Sequence, residues 1–240
     1  MAEKMMKLQK VYESRDVSKR AELPISEKEL CDRYEKVTTA MVNDVLREDN
    51  ILYQTLPNNI LPLREEMKVA GIAFTLKGSK NLDITDEMEQ RAQMLEAIEP
   101  DSICVWDTCG DEESAQWGEI MTMASIKRGC RGAIVDGGIR DTDMVLAQDF
   151  PVWCKYRTSN GMMGRFRMIG WQMPIEIGGV HIFPGDILLA DIDGVIVVPR
   201  KLAYDVLVRA EQIRDNEVEI KEMVNSGMKP TEVVANGGYF

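Results

Sequence analysis

The stretch from Cys109 to Val145 constrains the fold more than any other part of the chain. It reads CGDEESAQWGEIMTMASIKRGCRGAIVDGGIRDTDMV. Residues 113–128 read as a helix that stops at Gly129, a residue suited to the left-handed position just past a helix end. Residues 132–135 read as a buried strand. Asp136-Gly137-Gly138 is a turn signal, and Asp141 starts another helix. This alternation of strand and helix predicts an α/β domain.

The flanks add elements of both kinds. Ser26 followed by Glu29 matches a capping box. It predicts a helix running to about Arg47, with Leu30, Tyr34, Val37, Met41 and Val45 near helical spacing. Pro57 and Pro62 bracket an irregular crossing. Residues 69–76 are β-like, with Gly71 and Ala73 small enough for close packing. Residues 86–98 read as a helix halted by Pro100, and residues 102–106 as a short apolar strand. After Pro151, short strands are expected around Ile175 and over residues 180–183, 187–190 and 195–198. Gly178-Gly179, Pro184-Gly185 and Asp193-Gly194 are the turns between them. A charged helix over residues 202–225 ends at Gly227, and residues 231–235 form a last turn. The 240 residues carry no repeat or composition break. They predict one domain over residues 26–240, with residues 1–25 as an appendage.

Composition narrows the function classes. Charged residues are 29% and hydrophobics 45%, with a net charge of −11. That is a globular balance. The excess acid disfavours nucleic acid, which needs clustered Lys and Arg, and an anionic membrane surface. No apolar run is long enough for a transmembrane helix, and the first residues show no secretory pattern. Five cysteines without a CxxC fit reduced thiols in a cytoplasmic protein. His181 is the one histidine, so a His-based triad or a His/Cys zinc site has little support. No GxGxxG, GxxxxGK[ST] or GxSxG occurs. Acid–base or metal chemistry therefore falls to carboxylates.

Arg140-Asp141 carries that chemistry best. Glycines before it let backbone approach a ligand, a helix N-terminus offers N–H groups to an anion, and Arg offers a planar fork for a carboxylate. Asp141 is a hard oxygen donor for Mg²⁺, which takes one or two carboxylates and keeps several waters. The plainer alternative is an N-cap beside a surface ion pair. Glu119 follows Trp117-Gly118, and a glycine inside a helix costs roughly 1 kcal/mol relative to Ala. Gly118 is therefore expected to serve a close approach. The alternative for Glu119 is a solvated helix glutamate.

Glu119, twenty intervening residues and then Arg140-Asp141 resemble the signature of RraA-like proteins. These include the 4-hydroxy-4-methyl-2-oxoglutarate / 4-carboxy-4-hydroxy-2-oxoadipate aldolases. The family's usual first acid is Asp, so Glu119 is a departure with longer reach. Thr38-Thr39-Ala40 with Asp44, residues 132–141, residues 184–199, and Glu217 followed by Gly227 also carry the resemblance, which starts near Leu30. The resemblance implies a single swivelling β/β/α domain of α/β class, similar to phosphohistidine domains. It implies a trimer or a dimer of trimers with sites between subunits. Asp141 would ligate Mg²⁺ or Mn²⁺, with Glu119 acting through water as the second metal contact and as acid or base. Arg140 would pair with the keto oxygen and carboxylate of a small 2-oxo acid. Backbone N–H groups of Ile120 and Met121, beside Gly118, would grip the carboxylate. Glu217 would reach a neighbouring subunit's metal, although the basic residue that comes after it in the family is not matched. The implied activity is a class II aldolase releasing pyruvate, with oxaloacetate decarboxylation as a side reaction.

Weaker signals remain. Gly110-Asp111 either contacts the variable end of the substrate or makes a turn. Asp186, Asp191 and Asp193 look like a metal cluster but sit among strand turns, which favours structure. Arg157, Arg165 and Arg167 either bind anions or pair with acidic neighbours, and His181 reads as a surface or structural residue. Two competing functions stay open. One is a protein-binding regulator of ribonuclease, the other branch of the family, for which the acidic surface suits a basic partner. The other is a related lyase or dehydratase of sugar-acid catabolism.

Overall fold

Ser26 and Thr38 each start a helix, and the second start breaks the single long helix that the spacing predicts. In the computed structural model, which describes residues 20–85 and 87–238, α1 spans Glu27–Tyr34 and α2 spans Thr39–Glu48. Ser26 Oγ accepts from Glu29 N–H and Thr38 Oγ1 from Met41 N–H, each at 3.2 Å. A hydroxyl at the N-cap satisfies a first-turn donor that the helix itself leaves open. Residues 1–19 of the expected appendage lie outside the described residues. Residues 20–25 lie against the domain. Arg20 bonds to Glu99 at 2.8 Å, Ala21 O accepts from Arg200 Nε at 2.7 Å, and Leu23 and Ile25 pack on a core.

β1 (Leu61–Pro62) precedes β2 (Val69–Lys80), which outruns its predicted end. α3 (Met88–Glu96) and β3 (Ser102–Asp107) lie where their patterns put them. Two expectations need correction. The predicted helix over 113–128 is a strand, β4 (Ala115–Trp117), and a shorter helix, α4 (Glu119–Lys127). Gly118 stands between them as an extended N-cap, not inside a helix. The predicted turn at Asp136-Gly137-Gly138 is instead the continuation of β5 (Gly132–Ile139). These glycines serve close packing. A Cβ at Gly138 would stand 2.3 Å from Tyr156 Cε2, and one at Gly137 would stand 2.4 Å from Gln116 Oε1.

α5 (Thr142–Ala147) leads to β6 (Val152–Arg157) and β7 (Phe166–Trp171). Neither strand is evident from sequence, because Lys155, Arg157 and Arg167 interrupt their apolar pattern. β8 (Ile175–Ile177), β9 (Val180–Ile182), β10 (Ile187–Asp191) and β11 (Gly194–Val198) are the expected short strands. A 3₁₀ turn (Arg200–Leu202) enters α6 (Ala203–Asn225), and α7 (Pro230–Ala235) comes last. Among the described residues no helix is long and apolar enough to cross a membrane.

Nine strands of the described residues form one sheet along the path β1-β6-β5-β3-β2-β10-β11, with β4 added to β5 and β7 to β2. β2, β3, β5 and β6 run parallel, and β10 and β11 are antiparallel. Successive side chains point to opposite faces of a strand, and this sorts the apolar residues into two cores. Leu188, Ala190, Val195 and Val197 join Trp106, Ile134 and Trp153 in one. Ile187, Leu189, Ile196 and Val198 face α1, α2 and α6 in the other. The acids among the strand turns are structural. Asp191 accepts from Thr39 N–H, Thr39 Oγ1 and Asp193 N–H at 2.8–3.0 Å. Asp186 accepts from Phe183 and Arg200 N–H at 2.8 and 3.0 Å.

Arg33 on α1 joins Glu211 on α6 through two bonds of 2.9 and 2.5 Å. The guanidinium holds the Glu211 carboxyl below its ordinary value. A carboxyl with a lowered folded value adds stability above its unfolded value and loses it as pH falls through the folded one. Glu211→Gln is therefore expected to cost about 1 kcal/mol at neutral pH for a partly exposed pair. Urea melts should show the gap to the unchanged chain closing in acid, below the ordinary carboxylate range.

Candidate active site

β4 is three residues long and is held mainly by what it bonds to beside it. Gln116 Oε1 accepts from Gly138 N–H at 3.0 Å, and its Nε2 donates to Asp111 Oδ2 at 2.7 Å. Asp111 Oδ2 also accepts from Ser114 N–H and Ser114 Oγ at 2.9 and 2.5 Å. Arg140 N–H donates to Trp117 O at 3.0 Å. The Trp117 ring stacks on Phe150 at 6.1 Å, and its Nε1 donates to Thr122 Oγ1 at 2.8 Å. These bonds press Gly118 onto Arg140-Asp141. A Cβ there would stand 3.0 Å from Asp141 Oδ2 and 3.4 Å from Arg140 Cγ. The close approach expected of Gly118 is therefore present, at the helix start and not within it.

Asp141 precedes α5 but does not cap it. Its backbone is left-handed (φ 53°, ψ 37°) and its side chain makes no capping bond. A capping Asp has extended backbone and bonds back to the first turn, so the plainer reading of this residue fails. The carboxylate faces Gly118 instead, with Arg140 Nε 3.5 Å away. Both side chains stay about half exposed, at 51% and 45%. A pair so exposed contributes little to stability, which leaves both groups available to a ligand.

The first intrahelical bond of α4 runs from Thr122 N–H to Gly118 O at 3.1 Å. The N–H groups of Glu119, Ile120 and Met121 precede it and have no carbonyl within the helix. With Gly118, Arg140 and Asp141, these residues line a cavity of about 300 Å³, a volume for a small molecule. α3 supplies an apolar wall of Met88, Ala92 and Leu95, interrupted by Arg91.

Six predicted residues thus meet at one cavity: Gly118, Glu119, Ile120, Met121, Arg140 and Asp141. Asp111 does not line it. Asp111 is buried and holds Gln116, which does line it, and its bond from Ser114 N–H closes a turn, the alternative that the sequence offers for it. Glu217 lies elsewhere in the single chain. It bonds to Lys221 at 2.7 Å and lines a separate cavity of about 610 Å³ with Asp44, Arg47, Glu48 and Arg209. His181 is exposed, and Arg167 pairs with Asp83 and Glu87 at 2.8 and 3.2 Å. Arg157 lies beside Arg140 and Asp141 in a shallow depression. Arg91 and Gln116 are polar lining residues that sequence reasoning misses. Met88, Arg91, Ala92 and Leu95 share one helical face by spacing, and the arginine in that apolar stripe is the available signal.

The donor set for a metal is oxygen alone: Asp141 and Glu119. Among the described residues no three His, Cys, Asp or Glu side chains form a cage. Such a set fits Mg²⁺ or Mn²⁺ holding several waters and does not fit four-ligand structural zinc. The space that a Cβ at Gly118 would fill lies directly against Asp141 Oδ2.

The family model named RraA-like, described as Aldolase/RraA, matches residues 38–197. A protein of Halalkalibacterium halodurans named "Putative 4-hydroxy-4-methyl-2-oxoglutarate aldolase" is 29% identical over 210 residues, covering 83% of this chain and 95% of its own. Protein DlpA of Legionella pneumophila is 29% identical over 169 residues, which is 70% of this chain and only 28% of DlpA. A crystal structure described as "of novel cellulases from microbes associated with the gut ecosystem" superimposes with a TM-score of 0.85 at 49% identity. That match covers 90% of this chain and 97% of the other. Streptomyces coelicolor RraAS2, described as an unusual member of the RNase ES inhibitor RraA protein family, superimposes with a TM-score of 0.75 at 26% identity, covering 83% and 99%. The family match spans every strand and helix that builds the cavity, and the chain belongs to the RraA-like family.

Proposed function

We propose that this chain is a divalent-metal-dependent class II aldolase. It cleaves a 4-hydroxy-2-oxo acid to pyruvate and a second carbonyl compound, and it decarboxylates oxaloacetate at the same site. The observation that carries the reading is Asp141. Its left-handed backbone and half-exposed carboxylate, beside Arg140 and the open N–H groups of α4, serve no packing purpose. The names of aldolase relatives from Halalkalibacterium and Ectopseudomonas agree with this class of reaction.

Each residue then has a task. The N–H groups of Ile120 and Met121 bind the carboxylate of the 2-oxo acid. Arg140 donates to the same carboxylate and to the keto oxygen, and its bonds strengthen as charge develops there. Asp141, with Glu119 through water, holds Mg²⁺ or Mn²⁺, which when bound supplies Lewis-acid stabilisation of the charge left on pyruvate. Glu119 takes the 4-hydroxyl proton through an ordered water, since among the described residues Asp141 is the one other acid lining the cavity. Oxaloacetate loses CO₂ to leave the same charge without that proton transfer.

Assembly as a trimer or a dimer of trimers belongs to the same proposal. α4 buries Thr122 and Ser125 and exposes Ile120, Met123 and Ile126, the reverse of a solvated helix. Glu217 then reaches the site of a neighbouring copy. A second reading, a regulator of ribonuclease, draws on the RraA relative from Streptomyces and on the net charge of −11. It leaves the geometry of Asp141 without a use.

Pyruvate release from oxaloacetate by the purified chain is expected with Mg²⁺ or Mn²⁺, above the metal-only blank, and should stop with EDTA. Asp141→Asn is expected to lose about a hundredfold or more in turnover with its melting temperature unchanged. Normal turnover of that variant at limiting Mg²⁺ would remove Asp141 from its role. Gly118→Ala meets no backbone strain, because Gly118 is extended, but its Cβ pushes on Asp141 Oδ2. The same assay should show it folded and slowed about ten- to a hundredfold.

A further inference from the structure

Arg91 is the second cation of the cavity, and the proposed catalysis gives it no task. It projects from α3 into the apolar wall, with its side chain 24% exposed. A guanidinium in such surroundings needs partners. Glu87, itself buried, is one. Its Oε1 accepts from Arg91 Nε at 2.7 Å and from Arg91 Nη2. Glu87 Oε2 accepts from Arg167 Nε at 3.2 Å, and Arg167 Nη1 donates to Asp83 Oδ2 at 2.8 Å. Charges alternate along this chain from the surface inward, and it ends at the cavity on a cation. Among the described residues no atom accepts a bond from Arg91 Nη1.

We propose that Arg91 reads a second carboxylate on the substrate, at the end opposite the one that Arg140 holds. It thereby selects 2-oxo diacids over 2-oxo monoacids. The inference takes its orientation from the proposed function, in which Arg140 and the N–H groups of α4 hold the 2-oxo acid end. Three observations support it. Among the described residues Arg140 and Arg91 are the two cations lining the cavity, so once Arg140 holds the first carboxylate, a second one meets its charge partner at Arg91. The wall beside Arg91 is Met88, Ala92, Leu95 and Met162, which suits a short carbon chain between two charged ends. Glu87 pins the guanidinium before any ligand arrives, so little side-chain freedom is lost on binding. Glu87 is thus a positioning residue, and Arg91 is the residue that touches the ligand.

The test is binding, which does not depend on turnover. 2-Oxoglutarate and 2-oxopentanoate share five carbons and differ in ending on a carboxylate or a methyl. Both lack the 4-hydroxyl group, so neither undergoes aldol cleavage. Calorimetry on the full chain with saturating Mg²⁺ is expected to show 2-oxoglutarate favoured by about tenfold or more, the size of one charge-assisted contact. Arg91→Gln is expected to abolish that preference and to leave 2-oxopentanoate within about twofold of its original affinity. Arg91→Lys keeps the charge and should keep part of the preference, and it carries the test if the Gln variant does not fold. Glu87→Gln should reduce the preference without reversing it. Equal loss of both ligands in Arg91→Gln, an undiminished preference in that variant, or no binding of either acid by the unchanged chain would each overturn the proposal. A retained preference in a chain that releases no pyruvate from oxaloacetate would overturn the lyase reading and leave the role of Arg91 standing.

Discussion

β4 reaches the end of β5 only where two backbones can touch. Ala115 pairs with Gly138 and Trp117 with Ile139, and Gln116 fills the gap between them with a side-chain amide bonded to Gly138 N–H. Side chains at Gly137 and Gly138 would occupy the space of Gln116 and Tyr156. The same constraint disturbs the neighbouring pair, because the register of β5 against β6 shifts between Val135 and Gly138. A bulge of this kind re-aims the residues beyond it. Here those residues are Arg140-Asp141, and β4 delivers to them the open first turn of α4. The cavity is therefore a product of one strand contact.

The rest of the sheet fixes that contact in register. Lys77 of β2 bonds to Asp107, its pairing partner on β3, and Lys155 of β6 lies 2.5 Å from Asp136 of β5. The four residues make a row across four neighbouring strands, two buried acids between two half-buried lysines. Burial pushes the Asp136 carboxyl up, against the pull of Lys155. A one-residue slip of any of these strands would carry a charge into the apolar face beside it. The row thus specifies alignment at a cost in desolvation. Arg140-Asp141 and Arg157 stand at the carboxyl ends of β5 and β6, where ligands of open α/β sheets bind.

Much of this is legible in the sequence, and the failures have physical causes. The short apolar runs of β10 and β11 between turn dipeptides, the helix ahead of Pro100 and the capping hydroxyl of Ser26 are local signals, and the structure bears them out. The helix start at Thr38 escapes notice because apolar spacing continues across it, while the cap is a single side-chain bond. The glycines of β5 mimic a turn because a turn and a close approach ask for the same residue. Only the partner strand distinguishes the two, and β4 itself reads as helix. Glu119, Arg140 and Asp141 emerge through spacing that a family signature makes meaningful. Arg91 stays hidden because nothing in its own helix says that Glu87 is buried or that Arg167 lies on the far side of it.

Three aspartates show what separates a site from a scaffold made of the same residue types. Asp191 accepts three hydrogen bonds and Asp186 two, and both are buried. Their lone pairs are largely used, and removing either carboxylate would leave backbone donors unmatched. Asp141 has one neighbouring cation at 3.5 Å, a half-exposed carboxylate and a backbone in a region that most residues avoid. It contributes almost nothing that the fold requires, yet the fold holds it in place through Gly118 and Trp117. Arg91 obeys the same logic, pinned along one edge by Glu87 and open along the other. Completed bonds describe the scaffold. Groups held rigidly with bonds still to make describe where a ligand belongs, and in this chain those groups converge on one cavity at the junction of β4, α4 and β5.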